Sequence, residues 1–444
     1  MSAIPADVDA GQQPPMTVPL RHFLVANLFL LFGVLAGVGV ALDSTFGFLS
    51  LAHVHLLLVG WVCVTIMGAM TQFVPVWSGV ELHSTRLAAA QLWLVAAGLL
   101  GFAGSLLAAE LALLPGFGAL MLLGFWLFVY NIGRTLAAKA ALDVTERHFA
   151  LALGFFVFTT LLGILLAVDF SRPILASLPV TRPGVVQAHA TVAVFGAVLT
   201  TVLGALYQLA TMFTQTDLHG VDVPLRRVEE LGYPVGVLLL ATGRLLDAAL
   251  LARVGAVLVL AALLAFAVVL GRRLRETQVD WTPMLSRYVV VTAALALWAV
   301  LAVPAWLTDP LASAALFGAP GTSHLLLLGV VGFVVLGTLY HVVPFIVWVH
   351  RYSDLLGYEP VPMVDDLYDD RIAAADFACF LGGSALLVAA DLFGLPSVVS
   401  ASGGGLTLLG TALFILNIAG VVREHSPQSL TAVLVGGRTE TQTD

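Results

Sequence analysis

Apolar residues in this chain run in long stretches with few or no charges, not in the alternating or three-to-four spacing of a soluble fold. The stretches cover residues 22–42, 51–76, 87–109, 111–133, 148–168, 184–212, 231–250, 254–271, 288–308, 315–350, 372–391 and 402–422. Most reach the roughly 20 residues needed to cross a bilayer, and a lone segment in lipid satisfies its own backbone only as a helix. The pattern predicts an all-α polytopic membrane protein with twelve transmembrane helices. Residues 1–21 and 423–444 are read as polar tails on a membrane domain spanning 22–422. The N-terminal tail carries Asp7 and Asp9 and no basic region, so it does not read as a cleaved signal.

The stretches repeat. Residues 52–75 (AHVHLLLVGWVCVTIMGAMTQFVP), 188–210 (AHATVAVFGAVLTTVLGALYQLA) and 323–344 (SHLLLLGVVGFVVLGTLYHVVP) align on two glycines. Gly60, Gly196 and Gly329 form one set and Gly68, Gly204 and Gly337 the other, each with offsets of 136 and 133 residues. Glu110, Asp247 and Asp391 close the third span of each unit, and Asn131 and Asn417 end a fourth. The reading is three pseudo-threefold repeats of four helices, about 22–140, 148–275 and 288–422. The second, sixth and tenth spans are then equivalent.

Composition sharpens this picture. Sixty per cent of the 444 residues are apolar, 10% are charged and mean hydropathy is +1.01, against about 25% charged in a soluble domain. A water-soluble enzyme is excluded. The net charge of −8 argues against nucleic acid as a partner and leaves membrane lipid as the first one. Fifteen of the 19 basic residues fall in the tails and even-numbered loops; only Arg172, Arg182, Arg253 and Arg244 fall opposite. That asymmetry predicts cytoplasmic termini in a cell membrane. The longest inner loop, 351–371, is acidic and reads as solvated. Cys63 and Cys379 stand alone, and no CxxCH, HExxH, phosphate loop or GxSxG occurs.

Five histidines lie well inside spans: His53, His55, His189, His324 and His341. In the repeat register His53 matches His189 and His55 matches His324, which gathers four imidazoles in one layer near the outer ends of the second, sixth and tenth spans. A lone buried histidine commonly bonds a neighbouring carbonyl, but four at one depth favour a metal or haem. His53 and His55 are about 200° apart around a helix, so they cannot both face one iron. Gln72, Gln208 and His341 form a second equivalent set. His341 lies ~26 Å from His324 along the helix, at the other membrane face.

These residues resemble subunit I of the haem-copper oxidase and nitric oxide reductase superfamily. In its tenth helix that family carries HxH, then glycine, histidine and proline, and here Thr322-Ser323-His324 is followed by Gly337, His341 and Pro344. His324 takes the place of a low-spin haem ligand, and Thr322 stands where the high-spin haem ligand would be. In the second helix His53, with Gly68, Val74 and Pro75 after it, fits the other low-spin ligand, with His55 as its substitute. His189 occupies the position of the first copper ligand. The family's paired histidines are missing from 231–250, and Ala193 replaces the crosslinked tyrosine of many oxidases. Smaller haem- and copper-containing membrane proteins linked to nitric oxide stress are similar in layout.

The resemblance implies a cytochrome oxidase subunit I-like membrane protein with one low-spin, bis-histidine haem b on His53 and His324. Copper is not expected, His189 being a weak candidate for metal and more readily structural. The implied role is one-electron transfer with a redox partner, or haem-linked sensing, without conventional O2 or NO reduction; any enzyme activity would be that of an oxidoreductase. The competing readings are a haem-free transporter or scaffold built on the same repeats, and a divergent NO or O2 reductase. Against transport, no span was read as carrying a central charge, and Glu110, Asp247 and Asp391 sit at helix ends where carboxylates are usually solvated.

Overall fold

The computed structural model describes residues 13–435; the distal parts of both tails, 1–12 and 436–444 with Arg438, lie outside the described residues. The described chain is helical, with no β-structure among those residues beyond an isolated bridge between Leu356 and Glu359. The long helices are α1 (Thr17–Ala41), α2 (Leu49–Ser78), α3 (Thr85–Leu107), α4 (Leu111–Leu136), α5 (Val144–Ser171), α6 (Arg182–Thr214), α7 (Asp222–Leu245), α8 (Ala249–Arg275), α9 (Pro283–Thr308), α10 (Ser323–Arg351), α11 (Asp370–Phe393) and α12 (Ser397–His425). Eleven are long and apolar enough to cross a membrane, α7 being the exception. A short helix, α13 (Leu430–Val435), folds back so that Arg21 Nε donates to the Val433 carbonyl at 2.7 Å.

Two spans start furthest from their hydropathy reading, while α1, α8 and α9 each start five residues early, so that residues 17–21 of the expected tail are helical. Expected over 231–250, α7 instead starts at Asp222 and stops at Leu245. Its charged first turns stay helical because neighbours neutralise them: Arg147 reaches Glu230 at 2.5 Å, and His148 reaches Glu229 at 3.1 Å. The tenth span, expected from 315, starts at Ser323. Gly318 and Gly321 adopt φ of 109° and 78°, a left-handed backbone that glycine alone takes without strain. At Gly321 a Cβ would also sit 2.6 Å from the Asp391 carbonyl, so the loop presses directly on the end of α11.

Caps mark the other starts. Ser84 and Thr282 accept from the backbone N–H three residues on, and Asp143 forms a capping box with Glu146. Asparagine staples tie the end of the fourth span to the start of the third. Asn131 accepts from the Ser84 N–H and donates to its carbonyl, both at 2.9 Å, and Asn417 treats Asp369 the same way at 2.9 Å.

In packing order α4 lies against α5, α8 against α9 and α12 against α1, which closes the helices into a ring. Inside it, α6 and α10 are the most buried spans. Glycines set the distance between α2, α6 and α10 and the helix preceding each. A Cβ at Gly68 would lie 2.6 Å from the Cβ of His22, at Gly204 2.4 Å from that of His148, and at Gly337 3.1 Å from that of Arg287. One turn pair higher, Gly60 meets Phe29, Gly196 meets Phe155 and Gly329 meets Ala294. Each of these three helices also contains a π-helical segment, Leu56–Cys63, Val192–Leu199 and Leu327–Gly332. Such segments widen a helix, re-aim the side chains beside them and often occur at functional sites.

At the end bearing both tails, Glu276 sits in a charge cluster with His219 at 2.8 Å, Arg273 at 2.7 Å and Arg272 at 3.3 Å. The hydrogen bond from His219, then the charges of Arg273, His219 and Arg272, hold its carboxyl below the ordinary range. A carboxyl depressed on folding adds stability above its unfolded pKa, and that stability is lost as pH falls through the folded value. Acid unfolding of the wild type should therefore be steeper than that of Glu276→Gln, with the two curves converging below the folded pKa. Parallel curves in a pH series of unfolding in detergent would contradict this.

Candidate functional site

His53 and His55 lie on α2, His189 on α6 and His324 on α10, all toward the ends remote from the two tails. His53 bonds α1 through the Gly33 carbonyl, whereas His55 packs on Phe102 of α3 with centroids 5.1 Å apart, so positions two apart on one helix serve different clefts, as their angular separation demands. His341 stays apart: its ring packs tilted against Phe213, centroids 4.2 Å apart, and stacks on Phe345 at 6.0 Å.

Each ring of the layer is anchored through Nδ1. His53 Nδ1 donates to the Gly33 carbonyl at 2.7 Å, and His324 Nδ1 donates to Asp391 Oδ2 at 2.5 Å. His55 Nδ1 donates to the Leu51 carbonyl at 2.8 Å and His189 Nδ1 to the Thr159 carbonyl at 3.0 Å. A carbonyl or carboxylate can only accept, so the proton resides on Nδ1 and neutral Nε2 presents a lone pair. No hydrogen bond to any of these Nε2 atoms occurs among the described residues. Anchoring Nδ1 on an acceptor is the arrangement that orients a metal-ligating imidazole and raises its basicity.

Glycines seat two of the rings. A Cβ at Gly37 would come within 2.6 Å of the His53 ring, and one at Gly163 within 3.1 Å of the His189 ring. His324 is held differently, by Asp391. The expectation that Asp391 is merely solvated at a helix end does not hold: it is the fixed partner of the His324 ring, both side chains being about one-third exposed. Its recurrence with Glu110 and Asp247 was visible in the sequence, but its partner on another helix was not.

Thr322 and Thr191, the residues that replace histidine in the remaining positions of this layer, are fully buried. Thr322 Oγ1 donates to the Ala319 carbonyl at 2.6 Å. Thr191 Oγ1 accepts from Arg244 Nη1 at 2.7 Å, and the same guanidinium donates to the carbonyls of Pro310, Ala315 and Leu316 at 3.1 Å each. Arg244 therefore seals the space beside α6 and α10 with protein, a role sequence reasoning missed because it read Arg244 only as a topology marker.

The donor set suits haem. Two lone pairs on separate helices match the axial demand of a bis-histidine haem. No group of three or more His, Cys, Asp or Glu side chains suited to a bare metal ion gathers among the described residues.

Toward the other end, a cavity of about 690 Å³ is lined by residues including Gln72, His341, Phe213, Trp348 and Asp365. Burial pushes the Asp365 carboxyl above its ordinary range. Buried polar clusters also join the helices. His148 on α5 bonds Glu229 on α7, while Arg287 on α9 pairs with Asp376 on α11, which also accepts from Tyr340 on α10.

No protein-family model matches the chain, and no curated protein matches its sequence.

Proposed function

We propose that this chain is a haem-copper-oxidase-subunit-I-like membrane haem protein that holds a low-spin haem b between α2 and α10, with His53 and His324 as axial ligands. The observation that carries this reading is that His53 and His324, on separate helices, are each anchored through Nδ1 and each keep an Nε2 without a hydrogen-bond partner among the described residues. A haem bound here would supply a one-electron couple. His53 and His324 would hold and orient it, the Gly33 carbonyl and Asp391 anchor their Nδ1 atoms, and Gly37 leaves room for the His53 ring. The reading makes the protein an electron carrier or haem-linked sensor in the cell membrane, with both termini cytoplasmic and a redox partner outside this chain.

The threefold repeat is part of the same proposal. It is supported by the glycine contacts of α2, α6 and α10 recurring on His22, His148 and Arg287, by the matching Asn131 and Asn417 staples, and by the π-helical segments. The seats of His53 and His189 also match. Each ring bonds a carbonyl four residues before the glycine on which it rests.

The test is a dithionite-reduced minus oxidised optical spectrum of the purified protein, repeated with CO. A sharp b-type band insensitive to CO is expected. In Asp391→Asn the His324 ring loses its charged partner, and haem affinity should fall about 10–100-fold. Absence of a haem band after expression with haem supplied would sink the proposal and favour a haem-free transporter or scaffold. A CO-shifted wild-type band would mean an open iron site, and the reductase or sensor reading would replace the electron carrier.

A further inference from the structure

We infer that the cavity between the tail-side ends of α2, α6 and α10 binds a hydrophobic ammonium ion, a protonated amine carrying an aromatic or alkyl body. The inference does not depend on the haem reading, because the cavity lies around His341, at the opposite end of α10 from His324.

At about 690 Å³ the cavity is of the size that encloses a small organic ligand. Buried residues of all three helices line it: Gln72 and Phe73 from α2, Phe213 from α6, and Val342 and Trp348 from α10. Two connections close over it. The one between α8 and α9 is tied to the end of α6, where the Gln278 N–H donates to the Thr214 carbonyl at 2.9 Å, and it contributes Val279 and Asp280. The acidic connection between α10 and α11 contributes Leu356, Val364 and Asp365. Trp348 Nε1 pins that segment by donating to the Pro362 carbonyl at 2.7 Å, and Val364, Leu367 and Tyr368 within it are buried. The segment expected to be merely solvated is therefore packed across the mouth of the cavity.

The chemistry of the wall selects the ligand. Phe73 and Trp77 stack with centroids 4.5 Å apart, and Phe213, Phe345 and Trp348 add further aromatic surface. Asp280 and Asp365 are the acids of the lining, and no lysine or arginine lines the cavity among the described residues. Aromatic faces attract a cation, and carboxylates on low-dielectric walls concentrate cations. Burial disfavours a lone Asp365 carboxylate, and a cation beside it offsets that penalty. An anion meets no basic group here, and a phospholipid headgroup would bring a phosphate with nothing to receive it. A bare metal ion finds no cluster of three His, Cys, Asp or Glu side chains among the described residues.

A purely apolar occupant is disfavoured by Gln72. This side chain lines the cavity and is 2% exposed, and its amide oxygen has no hydrogen-bond partner among the described residues. A buried acceptor left unpaired is costly, and an ammonium N–H is a donor that can satisfy it. Charge, aromatic surface and an unmet acceptor thus converge on one ligand class.

The experiment is isothermal titration calorimetry of the purified full chain in detergent with 1-naphthylmethylamine at pH 7. The comparison ligands are 1-naphthalenemethanol and 1-naphthoate, which keep the ring and make the side group neutral or negative. Saturable binding of the amine is expected, with the alcohol about tenfold weaker and no binding of the naphthoate. Asp365→Asn should weaken the amine about tenfold, and Trp77→Leu about 2–30-fold. Asp354→Asn, an exposed acid of the same connection outside the lining, should change nothing. An unchanged unfolding temperature and a monodisperse elution profile report that each variant is folded. Amine and alcohol binding alike would overturn the cation site and leave a general apolar cavity. Equal losses in Asp354→Asn and Asp365→Asn would assign the effect to the surface charge of the loop and overturn it too. Preference for the naphthoate, or no saturable heat with the amine, would also overturn the inference.

Discussion

His324→Ala is expected to remove the CO-insensitive low-spin haem between α2 and α10, lowering haem content by one per chain or leaving a five-coordinate, CO-reactive iron. The expectation follows from what holds the ring. His324 Nδ1 donates to Asp391 at 2.5 Å, so the tautomer that exposes the Nε2 lone pair is enforced rather than sampled. Alanine removes the ligand and leaves Asp391 without its partner. His341→Ala is the matched control: it deletes an imidazole from the same helix, but one packed against Phe213 at the far end, and the spectrum should not change. Unaltered haem content and an unaltered CO-insensitive band in His324→Ala would rule out His324 as an axial ligand.

The largest loss of stability is expected from Asp376→Ala. Asp376 and Arg287 are 0% and 1% exposed and form a direct ion pair. Asp376 also accepts from the Tyr340 hydroxyl, to which Asn417 Nδ2 donates at 3.1 Å. Arg287 further donates to the carbonyls of Pro283 at 2.8 Å and Ala373 at 3.0 Å, and its guanidinium lies 4.5 Å from the centre of the Tyr340 ring. One carboxylate thus joins α9, α10 and α11, and Asn417 ties in α12. Deleting it strands a buried cation, at a cost of about 3–5 kcal/mol. The double variant Arg287→Met/Asp376→Leu should recover much of that loss, because desolvation of the pair offsets most of its Coulomb gain. Unfolding in a denaturing-detergent titration measures both. A single variant as stable as the wild type would show that Arg287 finds another acceptor or reaches water.

The buried network and the histidine layer were legible in the sequence to different degrees. The layer could be anticipated, because a polar residue in an apolar span stands out and the glycine register gives its depth. His53 and His55 could also be assigned to different clefts from helix geometry alone. The network could not. Arg287 falls one residue outside the apolar stretch 288–308 and Asp376 is a single charge near the start of 372–391, and nothing along the chain couples α9 to α11. For the same reason hydropathy alone does not place the start of α7, which lies at Asp222, before the apolar stretch: Glu229 and Glu230 meet His148 and Arg147 on α5.

What the sequence determines by itself is whatever depends on local composition and period. Apolar runs must become helices because lipid offers no partner for a free N–H or carbonyl. Glycines at a constant offset mark where helices approach closely, and the imidazoles follow in register. What only the tertiary structure decides is which side chains meet. Asp391 takes the His324 ring, Arg244 bonds Thr191, and His189 bonds the Thr159 carbonyl. These contacts join residues on different helices, and a hydrogen bond or ion pair depends on a few ångströms of separation that no pattern along a single helix encodes.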